Sequence, residues 1–217
     1  MAGSFSKRRR SDPDLLVILD DGMVKVHSLV LEQASSYFSN ILKPEALLLI
    51  VHTDSVELSL RLQGRTKGDF QTFYNSLMIH TQEDLTSETA LVLSEWASDY
   101  DVAGLRHRCD LFMMSLPVDA AALQHGLKYG LENRVKQCLD FMVGKLPTFI
   151  GDLRVLIRHP DVLKEHWALI CEQAGLSYTP AFPPREHLES MWDFVASAVR
   201  LLSRLDHLEK LLDNAVY

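Results

Sequence analysis

No apolar run in this 217-residue chain approaches the roughly 20 residues that a membrane-spanning helix needs, and the longest, Ala46 to Val51, has the length of a buried strand. The first residues also lack the apolar core of a secretory signal. Cysteine is scarce: Cys109, Cys138 and Cys171 lie far apart with no CxxC pair, so neither a zinc site nor a disulfide framework is expected. That usage suits a reducing compartment, cytoplasmic or nuclear. Glycine-rich phosphate loops of the GxxxxGKS or GxGxxG type are missing, and Gly68 is followed by Asp69 rather than Lys-Ser. Positive charge is short as well. The net charge of -7 argues against nucleic acid as a partner, because binding a polyanion needs a basic face that releases counterions. The one basic run, Lys7 to Arg10, reads either as a nuclear-import patch or as a solvated, disordered tail over residues 1–11.

Catalytic and metal-binding groupings are equally thin. His125, His159, His166, His187 and His207 are scattered without ligand spacing, so no metal is expected. His107 and Cys109, two apart on one predicted helix, face different directions and do not form a nucleophile and base. The expectation is a non-enzymatic chain without cofactor.

What is present is a well-patterned core, with 47% hydrophobic residues. Leu15 to Leu19, the turn residues Asp20-Asp21-Gly22, and Met23 to Val26 predict a hairpin. Ser28 is placed to cap a short helix through Ala34. Ser35 or Ser36 is placed to cap a second, which Pro44 ends. Val56, Leu58, Leu60 and Leu62 alternate with polar residues as on one face of a strand, with Leu47 to Val51 pairing nearby. From Asp69, read as an N-cap, the spacing of Phe70, Phe73, Tyr74 and Leu77 becomes helical. Helices are then expected over Thr86 to Tyr100 and Ala103 to Leu116. On the first, Tyr100 shares an apolar stripe with Trp96 and Ala97, which suits a core position as well as a partner contact.

An internal echo follows. Tyr100, Cys109, Phe112 and Met113 recur 29 residues later as Tyr129, Cys138, Phe141 and Met142, as similar helical hairpins would require. Beyond a helix bearing Leu163, Trp167 and Ile170, the proline-rich stretch Ser177 to Pro184 reads as a linker. A long helix over Arg185 to Ala215 closes the chain. Its stripe of Leu188, Trp192, Val195, Val199 and Leu202 slips before Leu205, Leu208 and Leu212. Two uses stay open for it: folding back on the preceding helices, or pairing with a partner helix.

Asp14-Leu15-Leu16-Val17-Ile18-Leu19, then Asp21-Gly22, then His27 with Leu31, Ser35 and Tyr37-Phe38, resemble the opening of BTB/POZ domains. The resemblance continues at Phe70 to Ile79, where Ile79-His80-Thr81 stands for the family's Tyr-Thr-Gly turn, and at Ala97 to Leu105 and Cys109. It covers residues 12–116 as a BTB/POZ domain and continues from Val118 to about Phe149 as the start of a BACK-like segment, within a helical region 117–217. The fold class implied is α+β: a small sheet flanked by helical hairpins, followed by helices.

Function implied by the resemblance is protein contact. Family members commonly form homodimers, and many bridge substrates to a cullin-RING ubiquitin ligase. The partner-binding residues so implied are Tyr100, Glu45 and Leu47, and the dimer-interface candidates are Asp14, Ser28 and Leu31. The partners would be a cullin scaffold, an unidentified substrate and a second copy. A scaffolding oligomer without a ubiquitin-ligase role is the alternative. Three positions depart from the family pattern. Pro44-Glu45-Ala46-Leu47 stands where adaptor members carry a hydrophobic-x-Glu motif. Ser28 replaces the basic residue expected to accompany Asp14. Thirteen residues precede Asp14, too few for full strand exchange.

Overall fold

The computed structural model describes residues 13–43, 50–52, 55–78, 85–176 and 180–215, with backbone alone for 50–52, 55–57 and 212–215. The chain divides into two compact units, Met1–Met113 and Met114–Tyr217. The expected basic tail, and Glu45 and Leu47, lie outside the described residues.

The first unit is α+β. Strands β1 (Leu15–Leu19) and β2 (Gly22–Val26) form the expected hairpin, with Leu19 opposite Gly22 across the Asp20-Asp21 turn. Helices α1 (Ser28–Ala34) and α2 (Ser36–Ile41) follow, then β3 (Ile50–His52) and β4 (Ser55–Arg61). Strand order in the four-stranded sheet is β2-β1-β4-β3. The outer pairs are antiparallel, whereas β1 and β4 run parallel, Leu15 opposite Leu58. A parallel neighbour needs a crossover, and the segment holding α1, α2 and β3 supplies it. Although β1 is an unbroken apolar run, Leu15, Val17 and Leu19 are buried while Leu16 and Ile18 are partly exposed. One face of the sheet therefore meets the core.

Helices α3 (Lys67–Leu77), α4 (Ser87–Asp99) and α5 (Ala103–Met113) complete the unit. Their caps refine the sequence reading. Ser35 caps α2 as expected, accepting from the Phe38 N–H at 3.2 Å. Asp69 is not the cap of α3: Thr66 is, accepting from the Asp69 N–H, and the Asp69 carboxylate accepts the Thr66 hydroxyl at 2.8 Å. Thr86 and Thr89 cap α4 reciprocally. Leu15, Val17, Leu31, Phe38, Phe70, Phe73, Trp96 and Cys109 meet in one core.

The second unit is helical: α6 (Ala120–Tyr129), α7 (Glu132–Val143), α8 (Leu146–Phe149), a 3-10 segment over Asp152–Arg158, α9 (Pro160–Gln173), a 3-10 turn over Arg185–His187, and α10 (Leu188–Ala215). Asp119 caps α6, and Gly130 ends it in the left-handed region at φ +65°. Helix α7 crosses so near Gly126 that a Cβ there would lie 2.9 Å from Val135 Cγ2. Arg134, only 2% exposed, donates to the carbonyls of Leu116 and Pro117 and to Gln137 Oε1, fixing the chain entering the unit. The echo is a packing echo. Tyr100, Cys109 and Met113 are buried in the first unit as Tyr129, Cys138 and Met142 are in the second, while Phe141 is 37% exposed.

Two expectations for the second unit change. The described part of the proline-rich stretch, Pro180 to Pro184, is packed rather than a free linker: Trp167 Nε1 donates to the Pro180 carbonyl at 2.9 Å, and Phe182 meets the Trp167 ring edge-on. The slipped stripe of α10 is two faces rather than one. Leu188, Trp192, Val195 and Val199 are buried, whereas Leu201, Leu205 and Leu208 are each more than half exposed. Among the described residues no helix is long and apolar enough to cross a membrane, and no group of three His, Cys, Asp or Glu is placed to hold a metal ion.

Candidate partner-binding site

The residues singled out in the first unit fall into two clusters. At one, Asp14 precedes β1 and its backbone N–H donates to the Val26 carbonyl, which holds it beside the start of α1. The Asp14 carboxylate accepts the Ser28 backbone N–H at 2.8 Å and the Ser28 hydroxyl at 2.9 Å. His27 occupies the N-cap position, but its side chain makes no cap bond. Asp14 thus does the work that the sequence assigns to Ser28, reaching across fourteen residues to satisfy the first turn and placing negative charge at the positive end of α1. The partner of Asp14 at this helix start is therefore the neutral residue Ser28. The His27 N–H donates to the Tyr74 hydroxyl at 3.1 Å. Burial pushes the Tyr74 phenol up from its ordinary pKa, and that bond offsets part of the shift.

Ser28 is 7% exposed and Leu31 is fully buried, so both spend their surface within the first unit. The exposed large apolar residue of α1 is Leu29, at 59%, and on the hairpin it is Met23. Neither was singled out from the sequence. Their signal was one of position, since Leu29 stands between buried Ser28 and partly exposed Val30 on a single turn.

The second cluster surrounds Tyr100. As the C-cap of α4, Tyr100 is 8% exposed, and its ring stacks on Phe38 at 5.0 Å and lies 5.1 Å from Trp96, 5.4 Å from Tyr37 and 6.3 Å from Phe73. Its carbonyl accepts the buried Ser35 hydroxyl, tying α2 to the α4–α5 turn. In that turn Asp101 adopts φ +50°, a left-handed conformation that Asp tolerates better than most residues, and its carboxylate accepts the Ser36 hydroxyl. Tyr37 is the member that reaches solvent, at 41% exposure.

Arg65, between β4 and α3, crosses the same cluster. Its guanidinium lies 4.7 Å from the Trp96 ring centre and 5.6 Å from that of Tyr100, and it donates to Glu95 at 2.7 Å and to Asp99. Burial alone would lower the Arg65 pKa, but Tyr100 and Glu95 outweigh it and the net direction is up. The Tyr100 phenol is also raised, chiefly by burial, with Arg65 opposing. Arg65 was missed in the sequence because its partners lie 30 and 34 residues away and no local spacing announces them. The arrangement has the makings of a docking surface: a rigid aromatic base, one protruding aromatic ring and a fixed charge network. No protein-family model matches the chain, and a search of curated proteins returns no match.

Proposed function

We propose that the first unit is a BTB/POZ-type interaction module and that the chain acts through protein contacts, as a homodimeric substrate adaptor for a cullin-RING ubiquitin ligase. The order of elements supports this: an acidic residue opening the first strand, a hairpin, a His-led pair of short helices, a second strand pair and three helices. The observation that carries it is the junction of α2 with the α4–α5 turn. There the family's recurrent Ser and Phe positions, Ser35 and Phe38, lock onto Tyr100 and leave Tyr37 exposed beside it. In this reading Tyr37, with the rim of Tyr100, faces the cullin, and the dimer forms over Leu29 and Met23 rather than over buried Leu31.

The test is a binding titration of the full chain against purified cullin N-terminal domain. Tyr37→Ala, which also gives up edge contacts to Phe38 and Tyr100, is expected to weaken binding at least tenfold while the chain stays folded at the assay temperature. Undetectable affinity of the unaltered chain at high micromolar concentration removes the adaptor role. The exposed leucines of α10 favour a second reading, assembly without ubiquitin chemistry. Light scattering on a chain truncated after Arg200, which keeps the buried Leu188, Trp192, Val195 and Val199 and removes the exposed leucines, separates the two, since unchanged mass would count against assembly through that helix.

A further inference from the structure

From Phe194 onward α10 carries an apolar seam that the described residues of its own unit leave largely uncovered. Phe194, Ala198, Leu201, Leu205 and Leu208, with Leu212 next in register, are spaced four, three, four, three and four residues apart, the alternation of a heptad repeat. Phe194 is 56% exposed, Leu201 60%, Leu205 55% and Leu208 54%. This seam is distinct from the buried face of Leu188, Trp192, Val195 and Val199. At about 100° per residue it lies roughly 130° round the helix from that face. The helix therefore seats one face in its own unit and presents another over about 21 Å, from Phe194 to Leu208.

We propose that this face pairs with the same face of a second copy of the chain, as a parallel, in-register two-stranded coiled coil. The inference deepens the assembly reading of α10 and is independent of the cullin reading. Charge selects the occupant. With Leu205 at position a and Leu208 at d, Arg204 falls at g and Glu209 at e of the next heptad. In a parallel pair each g residue faces the e residue five positions on in its partner, so Arg204 meets Glu209 on both sides of the seam. An antiparallel pair sets g against g and e against e, and brings no opposite charges together. Asp206, His207 and Lys210 fall on the outer positions b, c and f, where a second copy imposes no clash. Leu202 and Leu211, at e and g along the Leu201–Leu208 stretch, are 39% and 51% exposed and widen the apolar strip there.

Site-specific oxidation of the full chain tests this. The native Cys109, Cys138 and Cys171 are buried, so a thiol placed on α10 is the accessible one. Leu208→Cys puts identical d positions side by side only in the parallel, in-register pair, and with oxidised glutathione it is expected to give a covalent dimer on non-reducing gels. Adding Arg204→Glu is expected to slow cross-linking about fivefold through like-charge repulsion, and adding Glu209→Arg to that variant to restore it. Asp206→Cys, on the outer face, is expected to cross-link several-fold more slowly. The proposal is overturned by no dimer from Leu208→Cys at tens of micromolar, by cross-linking indifferent to the charge changes, or by equal rates at 206 and 208. Any of these leaves the truncation result to stand or fall on its own, because an antiparallel or heterotypic pairing of α10 would still change the mass.

Discussion

Replacing Tyr100 with alanine will destabilise the first unit before it reports on any partner. The ring is 8% exposed and packs against Tyr37, Phe38, Phe73 and Trp96 with centroids between 5.0 and 6.3 Å. Emptying such a site costs about 3 to 5 kcal/mol in lost transfer energy and residual cavity. Arg65 also loses one of the two rings beneath its guanidinium. Against a typical stability of about 5 to 15 kcal/mol this removes a large share, and for a unit of this size it lowers the melting temperature by about 12 °C or more. Hydrogen exchange read by mass spectrometry on peptides from α4 and α5 isolates the first unit from the second. Amides there that exchange only through unfolding should lose about two to four orders of magnitude of protection. Tyr100→Phe keeps the ring, gives up only the hydroxyl beside Arg65, and should stay within about 1 kcal/mol of the parent. Exchange in α4 and α5 unchanged by Tyr100→Ala would refute the packing argument and return this residue to the surface.

Three further outcomes follow from other contacts. Asp14→Ala removes the acceptor of both Ser28 donors and should cost about 0.5 to 2 kcal/mol in urea unfolding, with Asp14→Asn recovering part of it; no change would mean that α1 needs no cap from β1. Arg134→Ala strips the carbonyls of Leu116 and Pro117 of a buried donor, and a loss of about 3 kcal/mol or more is expected by thermal unfolding of residues 114–217 within the full chain. Burial holds the thiols of Cys109 and Cys171 up at about 11, so the folded state keeps its protons there while the unfolded state releases them near 9. Their contribution to stability is complete below pH 9 and declines as pH rises through 11, and iodoacetamide at pH 8 should label them only after denaturation.

Periodicity made most elements legible. Alternation marked β4, the i, i+3, i+4 stripe marked α3, and Ser35, one of two cap candidates with Ser36, marked the start of α2 because a cap acts within three residues. What escaped was non-local. Ser28 looked like a cap because nothing near it revealed that Asp14, fourteen residues earlier, already met its N–H. Thr66 lost the cap of α3 to Asp69 in the reading, since both residue types suit the position and only geometry assigns which accepts and which donates. Tyr100 was open between core and contact because a stripe says which side of a helix is apolar, not what lies opposite. Ser35, Tyr37 and Phe38 supply that answer from more than sixty residues away. In α10 the apparent slip came from reading two stripes as one. A single count of apolar spacing cannot separate a face that meets its own unit from one that does not.

The parallel pairing of β1 with β4 sets an order on biosynthesis. β1 leaves the ribosome with β2 as its neighbour on one side, but its other edge has no hydrogen-bonding partner until residues 55–61 have been made. Through that interval a nascent chain presents Leu15 to Leu19 as an open, apolar template for any passing strand. Fragments ending before Ser55 should therefore be captured by chaperones or aggregate, while nascent chains extending through α5 should not.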